Sequence, residues 1–372
     1  MKIFQVTPYY FPHLGGMENV IKELSERLAK KGHQVEIFTS DIGCPKDKQL
    51  KSTKNLKIHY LRGWEIANTT IIPKLFFKLI RTKGAIIHIQ AFDAFLSPIV
   101  YLLSKVTNSP IIWHIHGETV RKGKLGFLLE PYKKIILGNI IKKATRVIIL
   151  NDEYKKFVSK KYNVPSKKII ILPNGVGKEF FTKTKSKNKI PHLLFVGRIS
   201  IEKNLPRLIE SITLCKSKFI LDIVGDGELL EEINKLVKER GLTNVVFHGR
   251  KTGKELINLY QNADIFISTS DGEGFPLSIL EAMASKLPII ASDVRGNHDT
   301  VKDIGILVNP PTPENFAKEI DKIFSNKKIY NRISKQSLKF AKKHTWDKVI
   351  NQLEKVYKEV LREHNKKLKK KK

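Results

Sequence analysis

Apolar positions along this chain fall into short runs separated by longer amphipathic stretches. Residues 2–6 form the first run, followed by the loop Phe11-Pro12-His13-Leu14-Gly15-Gly16. From Met17 to Lys31, Val20, Leu24 and Leu28 recur at helical spacing, and Gly32 supplies a stop. Short β-rich runs follow at 35–39, 85–89, 111–114, 146–150 and 169–172, the last ending at the turn signal Pro173-Asn174-Gly175. A polar, lysine-rich connector occupies 183–189, and then the pattern restarts. Strand candidates lie at 192–196, 219–224, 245–248, 265–268, 289–291 and 306–308, with a helix from about Leu205 and helix almost throughout beyond Glu314. Strands alternating with helices predict parallel sheets joined by crossover helices, here in two similar α/β halves.

The length of 372 residues suits two or three domains with sizeable cores. No run approaches the ~18 apolar residues of a membrane span. The start of the sequence lacks the core and cleavage site of a signal peptide, so a cytoplasmic protein is expected. Cys44 and Cys215 are too few and too far apart for a disulfide framework or a zinc site.

Charge changes this picture. Lysine and arginine exceed aspartate and glutamate by 32, which attracts polyanions such as nucleic acid or an anionic membrane face. Six lysines crowd the stretch from Lys366 to Lys372, read as a flexible basic tail. From Val120 to Ala144, Arg121, Lys122, Lys124, Lys133, Lys134, Lys142 and Lys143 flank Phe127, Leu128, Leu129, Tyr132, Ile135, Ile136, Leu137, Ile140 and Ile141. That pattern predicts an interfacial helix, and with the tail it predicts peripheral contact with the cytoplasmic membrane face. An ordinary buried helix with a solvated face has the same composition.

The chemistry concentrates in Asp271-Gly272-Glu273-Gly274-Phe275-Pro276-Leu277-Ser278-Ile279-Leu280-Glu281-Ala282, where two carboxylates lie eight positions apart. Pro276 suits a first helical turn, which puts Glu273 in the loop before a helix and Glu281 inside it. The unpaired N–H groups around Phe275, Pro276 and Leu277 favour a phosphate, and Glu281 can accept from two adjacent ribose hydroxyls. Gly197-Arg198-Ile199-Ser200-Ile201-Glu202-Lys203 also follows a strand. There Arg198 offers a fork and Lys203 a point charge to a leaving diphosphate. Gly15 and Gly16 permit close backbone approach at a helix start.

The first of these stretches resembles the Glu-x7-Glu motif of retaining GT-B glycosyltransferases, in particular family 4 (glycosyl transferases group 1). The second resembles that family's Gly-Arg-x4-Lys motif, with Asn204 where glycine is usual; asparagine still serves as a helix cap. The resemblance implies an α/β GT-B fold, with two Rossmann-like domains facing across a cleft. It places an acceptor-side domain at 1–182, a nucleotide-sugar domain at 190–343, a helix at 344–362 crossing back to the first domain, and the basic tail at 363–372. It implies transfer of a hexose from a nucleoside diphosphate sugar, a UDP-sugar before GDP-mannose, to a hydroxyl of a lipid-linked or cell-surface glycan. Arg198 and Lys203 would hold the diphosphate, Glu273 the sugar hydroxyls and Glu281 the ribose. His116, of His114-Ile115-His116-Gly117, would sit near the transferring sugar, with His114 structural. The Gly15-Gly16 loop would touch the donor phosphate or line the acceptor site. Gly225, in Gly225-Asp226-Gly227, would help hold the nucleotide, and Arg250 and Lys251 would fall beside the base. Asn174-Gly175 resembles the family's turn at the domain connection. No Asp-x-Asp is present, so neither a metal nor a cofactor is expected. The alternatives are another GT-B enzyme, such as a nucleotide-sugar epimerase, and a basic nucleic-acid-binding protein, for which no module is found.

Overall fold

A computed structural model describes residues 1–13, 15–66, 69–80, 84–91, 95–117, 131–181 and 189–370. All but the last residue of the 183–189 connector lies outside them, as do residues 120–130 of the basic apolar stretch. The chain divides into unit 1, Met1–Pro173 with Trp346–Lys372, and unit 2, Asn174–Thr345.

Unit 1 runs β1 (Lys2–Val6), α1 (Gly16–Lys30), β2 (Gln34–Ser40), β3 (Leu56–Leu61), β4 (Trp64–Ile66), β5 (Thr69–Ile71), α2 (Lys74–Ile80), β6 (Ile86–Ile89), α3 (Leu96–Val106), β7 (Ile111–Ile115), α4 (Gly138–Lys142), β8 (Arg146–Ile149), α5 (Asp152–Tyr162) and β9 (Ile169–Ile171). Seven strands form one parallel sheet in the order β3-β2-β1-β6-β7-β8-β9, and β4 and β5 pair as a separate antiparallel hairpin. Every residue of β6 and β7 is buried. This is the expected state of a strand covered on both faces, and it explains why each is apolar but for one buried histidine, His88 and His114.

Unit 2 runs β10 (His192–Val196), α6 (Leu205–Thr213), β11 (Ile220–Val224), α7 (Leu230–Glu239), β12 (Val245–Gly249), α8 (Gly253–Asn262), β13 (Ile265–Ser268), α9 (Leu277–Ala284), β14 (Ile289–Ser292), α10 (Asn297–Val301), β15 (Ile306–Val308), α11 (Pro313–Ser325) and α12 (Lys327–Ala341). Its six parallel strands are ordered β12-β11-β10-β13-β14-β15. Each unit is a Rossmann-like α/β layer structure. In each, the strand order reverses direction beside the first strand, between β1 and β6 and between β10 and β13. Open α/β sheets bind ligands at the carboxyl ends of strands around such a point.

The last helix, α13 (Trp346–Lys369), belongs to unit 1. It buries Trp346, Val349, Ile350, Leu353, Val356, Tyr357 and Val360. Polar contacts fix it along its length: the ion pair of Arg27 with Asp347 at 3.2 Å, the hydrogen bond between His33 Nε2 and Glu354 at 2.6 Å, and the ion pair of Arg146 with Glu363. The last pair, and the bond from His364 Nε2 to the Asn108 carbonyl at 2.8 Å, lie past the expected helix end at 362. They carry the helix to Lys369, so most of the expected flexible tail is helical. The first unit likewise ends at Pro173 rather than at 182.

The basic apolar stretch also departs from expectation. Leu137, Ile140 and Ile141 are core residues, and only Ile135 and Ile136 of its described aliphatic side chains are exposed, by 59% and 42%. Burial in the core of unit 1, beside α3 and α5, accounts for the apolar side of α4.

Candidate active site

Of the residues singled out in unit 2, Arg198, Lys203 and Glu273 follow β10 and β13, beside the strand reversal, while Gly225 and Lys251 follow β11 and β12. Gly197 and Arg198 follow β10, and Lys203 ends a single 3-10 turn, Ile201–Lys203. Asn204 then adopts a left-handed conformation, φ 47°, and its side chain accepts the Arg207 N–H at 3.3 Å to cap α6. Asparagine tolerates this conformation, which explains how it stands where the related motif has glycine.

Lys203 Nζ donates to Glu273 Oε1, and Ser270 Oγ donates to the same oxygen at 2.7 Å. Neither bond uses Glu273 Oε2. The loop carrying Glu273 is tied down from several sides. Thr269 Oγ1 donates to the Lys203 carbonyl at 3.0 Å, Arg207 pairs with Asp271 at 2.8 Å, and the Glu273 N–H donates to the Arg295 carbonyl at 3.0 Å. Gly296, at φ 84°, packs so closely that a Cβ there would lie 2.2 Å from the Glu273 carbonyl oxygen. Arg198 is exposed. Glu202 between the two cations has its pKa lowered, first by hydrogen bonds from its own backbone and from Ser200, then by the charges of Arg198 and Lys203.

Pro276 is the N-cap of α9 rather than a residue of its first turn. Phe275 is buried, and its carbonyl accepts from Asn174 Nδ2 at 2.9 Å. The connection turn thus braces the loop before α9. Glu281 is partly exposed on α9, and Oε2 accepts the Tyr260 hydroxyl at 2.8 Å. Tyr260 is fully buried on α8, and burial followed by the Glu281 charge holds its pKa well above the usual phenol range. Tyr260 orients Glu281, a role no local motif signals, because the two residues meet only through the packing of α8 on α9.

Gly225 and Gly227 are explained by backbone contact. A Cβ on Gly225, at φ 150°, would lie 1.8 Å from the Gly197 carbonyl oxygen, and one on Gly227 would lie 2.2 Å from that of Ile199. The turns after β10 and β11 are therefore pressed together. Lys251, after β12, pairs with Glu255 at 3.1 Å across the start of α8, while Arg250 is exposed.

In unit 1, Gly15 and Gly16 open α1 after β1, and His114 and His116 lie at the end of β7. Gly15 serves a neighbour: a Cβ there would lie 2.3 Å from Glu18 Oε2, and the Glu18 carboxylate also bonds His13 Nδ1 at 2.9 Å. A carboxylate already stands at this helix N-terminus, which disfavours a phosphate there. The His114 and His116 rings stack at 4.1 Å, and His88 stacks on His114 at 5.4 Å. Burial lowers the pKa of His88 and His116 to about 3 and holds that of His114 well below the usual imidazole range, so all three are neutral near pH 7. His116 Nε2 lies 2.7 Å from Gln90 Oε1, while both His114 nitrogens are buried without a partner. No group of His, Cys, Asp or Glu among the described residues is placed to hold a metal ion.

Comparison with known proteins follows this geometry. Residues 14–180 match the family described as Glycosyltransferase Family 4, and residues 177–340 match Glycosyl transferases group 1. An uncharacterized glycosyltransferase of Methanocaldococcus jannaschii is 28% identical over 96% of this chain and 98% of its own length. The O-antigen chain mannosyltransferase C of Escherichia coli is 24% identical over 94% and 96%. The Anabaena protein HepE, solved in complex with UDP, superposes with a TM-score of 0.79 at 15% identity, covering 96% of this chain and 100% of that one. With one family spanning its first half and the other its second, and with two Rossmann-like units of the GT-B type, the chain belongs to the family 4, group 1 glycosyltransferases.

Proposed function

We propose that the chain is a retaining, metal-independent hexosyltransferase using a nucleoside diphosphate sugar, a UDP-sugar before GDP-mannose. The observation that carries the reading is the Lys203–Glu273–Ser270 constellation in the loop that leads into the N-terminus of α9. Lys203 and exposed Arg198 would hold the diphosphate and stabilise the charge it gains as the sugar–phosphate bond breaks. The N–H groups of Phe275 and Leu277 add the positive end of the α9 dipole. Glu273, with Oε2 clear of both its bonds, would accept from sugar hydroxyls, and Glu281, held by Tyr260, from the ribose. Gly225 and Lys251 would flank the nucleotide. His116 would bond a substrate hydroxyl, and Gly15 and Gly16 would line the acceptor side. The leaving phosphate itself would help deprotonate the acceptor on the front face. HepE was solved with UDP, which favours uridine as the base here.

A calorimetric panel of UDP, GDP and their hexose derivatives tests this on wild type and Glu281→Ala. Saturable binding of one nucleotide series, weakened by the substitution and retained in EDTA, supports it. A folded wild type that binds none of them overturns it.

For the acceptor, the proposal is a lipid-linked glycan reached from an anionic membrane face. On α3, Leu102 and Val106 are 54% and 55% exposed, and on the neighbouring α2 Phe77 is 69% exposed. Lys105 and Lys143 both lie over the Tyr101 ring, at 5.5 and 5.9 Å. Lys168 has its pKa lowered by burial and then by Lys367, Arg146, Lys167 and Lys105, a mostly basic cluster drawn from distant segments, with Glu363 paired to Arg146 within it. Cations around exposed aliphatic side chains suit a bilayer surface. Failure to sediment with phosphatidylglycerol vesicles at physiological salt would remove this part.

A further inference from the structure

A closed circuit of buried polar side chains lies beneath His116 in unit 1. Gln5 on β1, His88 on β6, Gln90 just past β6 and Tyr357 on α13 are all fully buried. Gln90 Nε2 lies 2.7 Å from Gln5 Oε1, and Gln5 Nε2 lies 3.5 Å from the Tyr357 hydroxyl. That hydroxyl lies 2.7 Å from His88 Nδ1, which Gln90 Nε2 also approaches at 3.5 Å. The remaining atom of the Gln90 amide, Oε1, faces His116 Nε2 at 2.7 Å.

The orientations of the Gln5 and Gln90 amides set the direction of every bond. An amide nitrogen only donates and an amide oxygen only accepts. Gln90 gives a proton to Gln5 Oε1, so Gln5 turns its nitrogen to the Tyr357 oxygen. The tyrosine oxygen accepts from Gln5 and passes its own proton to His88 Nδ1. His88 Nδ1 is thereby an acceptor, which also suits the Gln90 nitrogen beside it. Gln90 has only its oxygen left for His116, and that oxygen needs a proton from Nε2. A neutral imidazole carries one such proton, so its lone pair is at Nδ1.

We propose that Gln90 is a positioning residue that fixes His116 as the Nε2–H tautomer, so that Nδ1 presents an acceptor to a substrate hydroxyl. His116 then orients a hydroxyl and does not donate to developing negative charge. The inference rests on His116 as a substrate contact, and it adds which ring nitrogen works and what holds it. The Tyr357 hydroxyl closes the circuit at His88, so α13 holds the far side of it from His116.

The test is 15N-histidine NMR of the full chain, with His116→Asn for assignment, alongside steady-state kinetics. The wild type should show a protonated Nε2 and an unprotonated Nδ1 at His116. Gln90→Met should lose that pattern at His116 and lower kcat about tenfold, the scale of one lost hydrogen bond, with KM for the donor nearly unchanged. Tyr357→Phe keeps the Gln90 oxygen in place, so it should alter the His88 signals and leave the His116 pattern. A wild-type spectrum with Nδ1 protonated would overturn the proposal, and this result needs no variant to fold. Wild-type shifts and kcat in Gln90→Met would overturn it too. Full activity in His116→Ala would overturn the substrate contact alone, since the tautomer in the wild-type spectrum still decides the circuit.

Discussion

Gly296 shows how one missing side chain holds the Glu273 loop in place. Its φ of 84° and the 2.2 Å that would separate a Cβ from the Glu273 carbonyl oxygen leave no room for alanine. Gly296→Ala should therefore cost roughly 1–3 kcal/mol in urea unfolding and reduce activity by displacing Glu273. His88 and His114 make a second prediction at this scale. Their folded pKa values lie below the unfolded value of about 6.5, so between those values the unfolded chain binds more protons. Stability is then full above about pH 6.5 and falls on acidification, by up to ~1.4 kcal/mol per pH unit for each histidine. Urea midpoints at pH 7 and pH 5 check this; an unchanged midpoint would contradict the burial of neutral rings. The motif residues were legible in the sequence because each set is contiguous and follows a strand. Tyr260, Gln90 and Gln5 were not, since their roles arise from side chains brought together across the fold.

At the scale of elements, the buried parallel strands announce themselves as short apolar runs, and the turn residues after them mark the strand ends at which open α/β sheets bind ligands. The segments between residues 50 and 110 are less clear. β3 reads Leu-Lys-Ile-His-Tyr-Leu, an edge strand whose mixed polarity reflects one uncovered side, and β4, β5, α2 and α3 were likewise absent from the sequence reading. The path of α13 could be expected from resemblance, but its reach to Lys369 depends on Arg146 and Asn108, which lie far away in the sequence. Deleting residues 366–372 removes the exposed Lys366, Lys367, Lys369 and Lys370 and the partly exposed Leu368, which lie beyond those contacts. It should change the unfolding free energy by less than ~0.5 kcal/mol. Deleting from residue 346 onward would strip unit 1 of the cover that buries Leu353 and Tyr357, and the product should be insoluble.

For the whole molecule, a formal net charge of +32 means that self-repulsion opposes compactness. Raising salt to a few times the physiological level shortens the screening length to several ångströms. The midpoint of thermal unfolding should rise from low to moderate salt, and a flat response would mean that the acidic side chains already compensate locally. Charge of this size was plain from composition. What composition could not give is its placement, with Lys105, Arg146, Lys168 and Lys367 gathered from four separate segments of unit 1.

The chain leaves unit 1 at Pro173 and re-enters it at Trp346, with all of unit 2 in between. During synthesis, unit 2 is a continuous segment that can complete its fold as soon as it emerges from the ribosome. Unit 1 has every strand of its sheet by Ile171, yet its final helix is made last. A nascent chain stopped before residue 346 would hold finished strands with an open groove, and Gln5 and His88 would wait there for a tyrosine hydroxyl not yet translated.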